Sequence, residues 1–244
     1  MTHSIPALAV LAILAWAACA GPLPLPAPIA PEPLTPEDGE PTSAARLNEL
    51  MRIAPEEVAT RLAHQMPTVA ITRRVRWTYH SARGSTSGRG TVTITPPDTL
   101  RFDFRAPFGR RGGLGAVGDR LLWSDPDSLG ERLVDRVPLL WAALGIPRTG
   151  GDSALYKREP TREVFRFVKG DTTLTYTLSP LQLTAVLVGP SGVLGSALLR
   201  RDSSDDHGAG HLRRDAPLAT LQFVVERVDT LPALAPDWFT RPAR

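Results

Sequence analysis

Apolar and polar residues alternate along most of the chain after residue 68, with the period of two that is typical of β-strands. The clearest case is 75–80, where Val75, Trp77 and Tyr79 alternate with arginine, threonine and histidine. The same alternation returns in further segments that we predict as strands: 91–95, 100–105, 121–124, 164–169, 172–178, 181–188, 193–200 and 218–228. Glycine- and aspartate-rich turns between them indicate hairpins, so consecutive strands are expected to be antiparallel neighbours.

Two segments have helical spacing instead. In 44–64, apolar residues recur near helical spacing and Pro55 marks a restart, which predicts two short helices or one kinked helix. The second segment, 137–144, ends at the sequence Gly-Ile-Pro. A sheet with one aromatic and one polar face must curl to cover its apolar side. We therefore predict an α+β fold, a curved antiparallel β-sheet forming a half-open barrel of about nine or ten strands, with short helices packed into or covering its concave face.

The first 18 residues have the pattern of an export signal. Residues 5–18 form a nearly uninterrupted apolar run, which is shorter than the roughly 20 residues of a membrane-spanning helix. Cys19, the only cysteine of the chain, follows two alanines as at the end of a bacterial lipobox. Trp16 stands where that pattern favours leucine, and an ordinary signal-peptidase site over 18–20 is the alternative. We predict a lipid attached at Cys19, since a lone thiol forms no internal disulfide.

A proline-rich segment follows Cys19. Its prolines recur between residues 22 and 41 without hydrophobic periodicity, so an extended, semi-rigid tether of about 3.1 Å per residue is expected. The predicted organisation is a signal peptide at 1–18, the lipidated cysteine with its tether at 19–43, and one β-rich domain at 44–244.

Charge and motifs exclude several classes of function. The net charge is +3, and the arginines are scattered singly, so nucleic acid is not a predicted partner. Residues 113–118 match the glycine pattern of a dinucleotide-binding motif, the dinucleotide fingerprint. That motif requires a helix directly after it, and none is predicted here. His207 and His211 have a metal-like spacing inside a glycine- and aspartate-rich stretch, 202–215, that predicts a solvated hairpin loop. Ser87 lacks the preceding glycine of a nucleophile elbow. We predict no metal, no cofactor and no enzymatic activity.

The stretch 87–126 resembles the core of LolA/LolB-type lipoprotein-binding proteins. The likeness is carried by Pro97-Asp98-Thr99-Leu100-Arg101, Pro107-Phe108-Gly109 and the hairpin Gly118-Asp119. The segment 138–147, PLLWAALGIP, is similar to the Leu- and Trp-containing helical insert of that family. The likeness covers about residues 45–240 in the order of elements. The long tether and the 202–215 stretch depart from typical LolB.

The resemblance implies a half-open barrel with helices as a lid, whose apolar interior receives the acyl chains of lipoproteins in transit. A lipidated Cys19 suits the anchored LolB type, and Ala20 is not the aspartate that retains lipoproteins in the inner membrane. The expected location is the outer membrane, facing the periplasm. The expected partners are acyl chains or lipoproteins, the membrane surface and a periplasmic carrier protein. Because of the two departures from typical LolB, binding of a different apolar ligand is an alternative.

The aromatic members of the apolar strand faces are predicted to line the concave side, with Trp141 near them. This predicted ligand-cavity set is Trp77, Tyr79, Phe102, Phe104, Phe165, Phe167 and Tyr176, together with Trp141. Aromatic residues on strand faces also form ordinary cores. The alternative function is therefore a tethered structural or protein-interaction module with a filled core.

Phe108 lies in a predicted turn between two strands. By the resemblance, it corresponds to the apolar residue of the LolB loop that helps drive acyl cargo into the bilayer, with phenylalanine in place of leucine. Arg105, Arg110 and Arg111 flank it and suit contact with anionic headgroups. In the alternative reading, Phe108 folds back as a plug under the sheet edge.

Overall fold

The computed structural model describes residues 50–201, 208–215, 217–232 and 234–241. The strands in this part of the chain, numbered in chain order, are β1 Met51–Arg52, β2 Ile71–Ser81, β3 Gly84–Thr95, β4 Thr99–Arg105, β5 Arg111–Val117, β6 Arg120–Asp125, β7 Ser153–Arg158, β8 Glu163–Lys169, β9 Thr172–Ser179, β10 Gln182–Gly189, β11 Gly192–Arg201, β12 Gly208–Arg214 and β13 Ala219–Thr230. The α-helices are α1 Pro55–Leu62, α2 Asp127–Leu133 and α3 Val137–Ala143.

All of these strands belong to one antiparallel sheet. Its order is β1-β7-β8-β9-β10-β11-β12-β13-β2-β3-β4-β5-β6, so β1 and β6 are the edges and the sheet does not close on itself. The last strand, β13, lies between β12 and β2 and thereby joins the two halves of the sheet. The predicted α+β fold, a curved antiparallel sheet in the form of a half-open barrel with short helices, is confirmed.

Helix α3 packs against β10, β11 and β12 and is buried along almost its whole length. Pro138 lies in its first turn, and Gly145, with φ of +84°, adopts the left-handed conformation that commonly follows a helix end. Two glycines of the sheet permit the close approach. A Cβ at Gly210 would overlap the carbonyl group of Ala143, and one at Gly195 would lie 3.1 Å from a methyl group of Leu139.

The core lies between α3, α1 and one face of the sheet. Alternating residues of each strand point into it, which is why the sequence period of two predicts the buried set so directly. Val58 and Leu62 of α1 are buried near β7, next to the edge strand β1. Arg73 donates a hydrogen bond to the carbonyl oxygen of Leu144 at the end of α3.

The structure corrects several element predictions. The sheet has more strands than the nine or ten expected, because β1, β5 and β7 are also present and β12 occupies 208–214 inside the predicted 202–215 loop. Helix α2 was also not expected. The glycine-rich segment of the dinucleotide fingerprint belongs to strand β5, and β6 follows it. The pairing of these two strands has a β-bulge or irregularity between Gly115 and Ala116.

Helical structure at 137–144 is confirmed by α3, and α1 begins at Pro55 as predicted. The predicted helical segment 44–64 is wrong at Met51–Arg52, which pair with β7 as strand β1. The signal peptide, Cys19, the tether and residues 44–49 lie outside the described residues. Within the described ranges, none of the helices combines the length and the apolar character needed to cross a membrane.

Candidate functional site

The concave face carries the aromatic set predicted from the sequence. Six of its members are buried, namely Trp77, Phe102, Trp141, Phe165, Phe167 and Tyr176. Tyr79 and Phe104 are partly buried and pack against the same core. The structure therefore places all eight predicted residues on the inner side of the sheet or on the helix that covers it.

Two aromatic groups divide this face between the halves of the sheet. On β2 and β4, the ring centroids of Trp77 and Phe104 lie 5.5 Å apart, edge to face. On β8 and β9, those of Phe167 and Tyr176 lie 5.9 Å apart, also edge to face. Sequence reasoning missed Phe223 of β13, whose ring is 5.7 Å from that of Phe102 and connects the first group to the middle of the sheet. The alternation in 218–228 was the signal that could have identified it.

Trp141 of α3 is fully buried in the core. Its indole Nε1 donates a hydrogen bond of 2.8 Å to the carbonyl oxygen of Gly118 in the β5–β6 hairpin. The phenol oxygen of Tyr176 accepts a 3.0 Å hydrogen bond from the backbone N–H of Arg148. Burial raises the pKa of Tyr176 well above its ordinary value, so the hydroxyl stays neutral. In this structure, α3 occupies the concave face.

A polar cluster fixes the segment that follows α3. The Arg148 guanidinium lies 5.2 Å from the centre of the Trp141 ring and 3.8 Å from a carboxylate oxygen of Asp98. It also donates to the carbonyl oxygen of Pro97, at 3.4 Å. Pro97 and Asp98 belong to the Pro-Asp turn that the family resemblance singled out. This turn therefore helps to hold the segment after α3 against the sheet.

A cleft of about 340 Å³ opens between α1, β1 and the loop before β7. Its apolar lining includes Ile53, Val58 and Ala154, and it reaches Phe167 of the aromatic set. Residues 149–152 form its polar side. Its volume lies in the range of about 300–1,000 Å³ that is common for small-molecule sites. The cleft is thus an opening between solvent and the concave face.

Phe108 lies at the tip of the β4–β5 loop and is fully exposed, with 103% of its reference surface accessible. Its φ of +61° is in the left-handed region that non-glycine residues rarely adopt, and the turn directs the ring away from the core. Gly109, with φ of +73°, completes the turn. The structure therefore contradicts the alternative in which Phe108 folds back as a plug under the sheet edge. Arg105, Arg110 and Arg111 are also exposed.

The remaining motifs do not form a chemical site in the described part of the chain. His211 lies on β12, where burial, and to a lesser extent the charges of Arg213 and His80, lower its pKa. Its predicted companion His207 lies outside the described residues. Among the residues that are described, no group of three or more His, Cys, Asp or Glu side chains could hold a metal ion.

Comparisons with known proteins found similar chains among solved structures. No protein-family model and no curated protein matches the chain. Among solved structures, the chain is similar to a LolA superfamily protein from Nitrosomonas europaea, with a TM-score of 0.49 and 10% identity over 78% of this chain and 98% of the other. It is also similar to a domain assigned to outer membrane lipoprotein sorting from Vibrio parahaemolyticus, with a TM-score of 0.37 and 11% identity over 76% and 97%. A third is a DUF1329 family protein from Desulfovibrio piger, with a TM-score of 0.32 and 6% identity over 76% and 95%.

Proposed function

We propose that this chain is an anchored lipoprotein of the bacterial envelope whose concave face binds an acyl chain, in the transfer of lipoproteins to the outer membrane. The observation that carries the proposal is an apolar, aromatic sheet face covered by one short helix. A ligand site on such a face needs a cover that can leave, and one short helix is a small enough element to be displaced. In the proposal, α3 occupies the acyl site when no ligand is bound.

The contacts of α3 support its role as a displaceable cover. In the described chain, two hydrogen bonds join α3 and its carboxyl end to the far half of the sheet, from Trp141 to Gly118 and from Arg73 to Leu144. The contacts of α3 with β10, β11 and β12 are largely apolar, and an acyl chain would replace them with contacts of the same chemistry. Gly145, already in a left-handed conformation, provides a flexible point at which the helix can swing.

The cleft beside α1 supports an entry route. It leads from solvent past Ile53 and Ala154 to Phe167, which lies at the edge of the aromatic set. An acyl chain entering here would meet Phe167 first and then the ring of Tyr176. Displacement of α3 would extend this cleft along the sheet.

The Phe108 loop supports a role at the membrane. Exposure of a phenylalanine to water is unfavourable by about 1.5–3 kcal/mol relative to its burial, so insertion of the ring into a bilayer would recover that free energy. The three flanking arginines would remain at the level of anionic headgroups. The proposed role is contact with the target membrane during release of the acyl cargo.

A module with a filled core remains the second candidate, and the burial of the aromatic set favours it. Titration with a fluorescent fatty acid distinguishes the two. Ala185 of β10 is fully buried on the concave face, and its neighbour Val186 lies on the opposite face and is exposed. We expect Ala185→Trp to abolish fatty-acid binding and Val186→Trp to leave it unchanged.

A second variant keeps this test informative if Ala185→Trp fails to fold. Ala154 is only half-buried and lines the cleft, so Ala154→Trp should close the entry route with a smaller effect on the core than Ala185→Trp. Binding of fatty acid by neither the native protein nor any variant, with all of them folded, would support the filled core instead.

A further inference from the structure

Three arginines meet at the end of the sheet that carries the Phe108 loop. This end is formed by the turns that follow β2, β4 and β12, because Ser81 pairs with both Gly84 and Ala219, and Arg105 pairs with Arg111. Helix α2 starts beside it, directly after β6. Arg132 of α2, Arg136 of the following 3-10 turn and Arg214 at the end of β12 are brought together here.

Hydrogen bonds to neutral groups orient these guanidinium groups. Arg132 donates to the phenol oxygen of Tyr79 at 3.2 Å, and Arg136 donates to the carbonyl oxygen of Leu194 at 3.2 Å. Arg214 donates through Nε to the carbonyl oxygen of Pro217 at 2.8 Å. Each guanidinium has five N–H donors, so each retains donors for a further acceptor.

None of the three arginines forms an ion pair with a carboxylate of the described residues. Asp215, the acidic residue next to Arg214, is paired with Arg213 at 2.8 Å. The pKa of Arg214 lies below its ordinary value, because it is desolvated and because the positive charges of Arg136 and Arg132 oppose its own. The cluster is thus a concentration of positive charge without a counter-ion in the described chain.

We propose that Arg132, Arg136, Arg214 and Tyr79 form a binding site for a phosphate group. A phosphate offers three or more acceptor oxygens and up to two negative charges, which matches three converging cations better than the two oxygens and single charge of a carboxylate. The Tyr79 hydroxyl, which accepts from Arg132, can donate its own proton to a phosphate oxygen. The site does not depend on acyl binding under α3.

A neighbouring donor favours a phosphate that belongs to an amphiphile over free phosphate. Trp77 precedes Tyr79 by two residues on the same face of β2, and its buried indole Nε1 has no acceptor among the described residues. Two residues of a strand span about 6–7 Å. The ester oxygens of a phospholipid extend over such a distance from the phosphate, so they reach a donor that free phosphate does not.

Calorimetric titration of the full chain with dodecyl phosphate, inorganic phosphate and dodecyl maltoside, each below its micellar concentration, tests the site. We expect dodecyl phosphate to bind at least tenfold more tightly than dodecyl maltoside. Arg132→Gln and Arg214→Gln should each weaken dodecyl phosphate binding about tenfold, as for the loss of one charge-assisted hydrogen bond. Arg74→Gln, on the opposite, exposed side of β2, is the matched control and should bind as the native protein does.

The remaining titrations identify the source of the phosphate and define the results that would contradict the site. Competition by inorganic phosphate at equal concentration indicates a free phosphate ligand, and its absence indicates a lipid headgroup. Arg132 is exposed, so Arg132→Gln should fold as the native protein does. If this variant binds dodecyl phosphate with unchanged affinity, the proposed site is wrong. Equal losses in Arg74→Gln, or equal affinities for dodecyl phosphate and dodecyl maltoside, overturn it as well. If only the proposed acyl site under α3 is wrong, dodecyl maltoside should not bind, whereas dodecyl phosphate should still bind more weakly to Arg132→Gln and Arg214→Gln than to the native protein.

Discussion

At the scale of single residues, Phe108 combines an unfavourable backbone conformation with an unfavourable exposure. Its left-handed φ costs a non-glycine residue roughly 1–2 kcal/mol, and its ring makes no compensating contact with the core. The family resemblance predicted the position of this residue, whereas the local pattern could not, because a phenylalanine in a turn is equally compatible with a plug. The backbone conformation decides between the two.

Phe108→Glu should leave the melting temperature nearly unchanged and weaken binding to anionic vesicles. The ring contributes no buried surface to the fold, and the carboxylate would be repelled by the headgroups. Vesicle co-sedimentation measures the second effect. Leu181→Glu, at an exposed leucine of the β9–β10 turn at the other end of the sheet, is the control. Equal loss of binding in both variants would contradict insertion of the loop.

Phe108→Gly should raise the free energy of unfolding by about 0.5–1 kcal/mol. Glycine adopts the left-handed conformation without strain, although its greater freedom in the unfolded state offsets part of that gain. Urea denaturation measures the change. A lower stability than that of the native protein would mean that the ring makes contacts which stabilise the fold.

His211 should make stability depend on pH. Burial and nearby positive charge hold its pKa below the ordinary 6.5, so the unfolded state binds a proton more readily than the folded state. The free energy of unfolding should therefore fall as the pH decreases from about 7 through 6.5 toward the lowered pKa of the folded state. His211→Gln should remove this component, as measured by urea denaturation at pH 7.5 and 5.5. The same pH dependence in both proteins would assign it to other groups.

At the scale of elements, the sequence predicts the strands whose apolar residues all face one side. Strand β7 was missed because Leu155 and Tyr156 put apolar side chains on both of its faces, and β12 because glycine, histidine and arginine dominate it. Helix α2 was missed because Gly130 lies in its middle, and glycine disfavours a helix interior. That glycine is required, since a Cβ there would overlap the Ser124 hydroxyl of β6. Tertiary contacts, which local patterns do not contain, determine these three elements.

Helix α3 provides a prediction at this scale, through Gly210. In Gly210→Ala, the new methyl group would overlap the carbonyl group of Ala143, so the end of α3 must move away from β12. We expect a loss of about 1–3 kcal/mol in the free energy of unfolding, together with tighter fatty-acid binding, because the closed form competes less well. Reduced stability with unchanged fatty-acid affinity would make α3 a fixed part of the core.

At the scale of the whole molecule, the structure describes a half-open sheet, and the amino-terminal anchor remains a prediction. The sheet and its helical cover follow from the alternation of residues and from the family resemblance. The state of the concave face could not be predicted, because the same aromatic positions serve a filled core and a ligand cavity. The arginine cluster was also missed, since its members are isolated in the sequence and meet only through the topology of the sheet.

The anchor has its own prediction. Cys19→Ser should move the protein from the membrane fraction to the soluble fraction, because the acyl chains that we predict at this residue would provide the membrane affinity. Cell fractionation and incorporation of labelled palmitate measure the change. Absence of label from the native protein, or a mature protein that begins at Gly21, would contradict the anchor.

The central claim is that the concave face of the sheet admits an acyl chain in place of α3. Native mass spectrometry of the protein incubated with palmitate tests it most directly, because a bound chain adds its own mass to the folded protein. We expect one bound palmitate per chain in the native protein and in Val186→Trp, and none in Ala154→Trp. A native protein that remains folded and carries no palmitate at saturating concentration would contradict the claim.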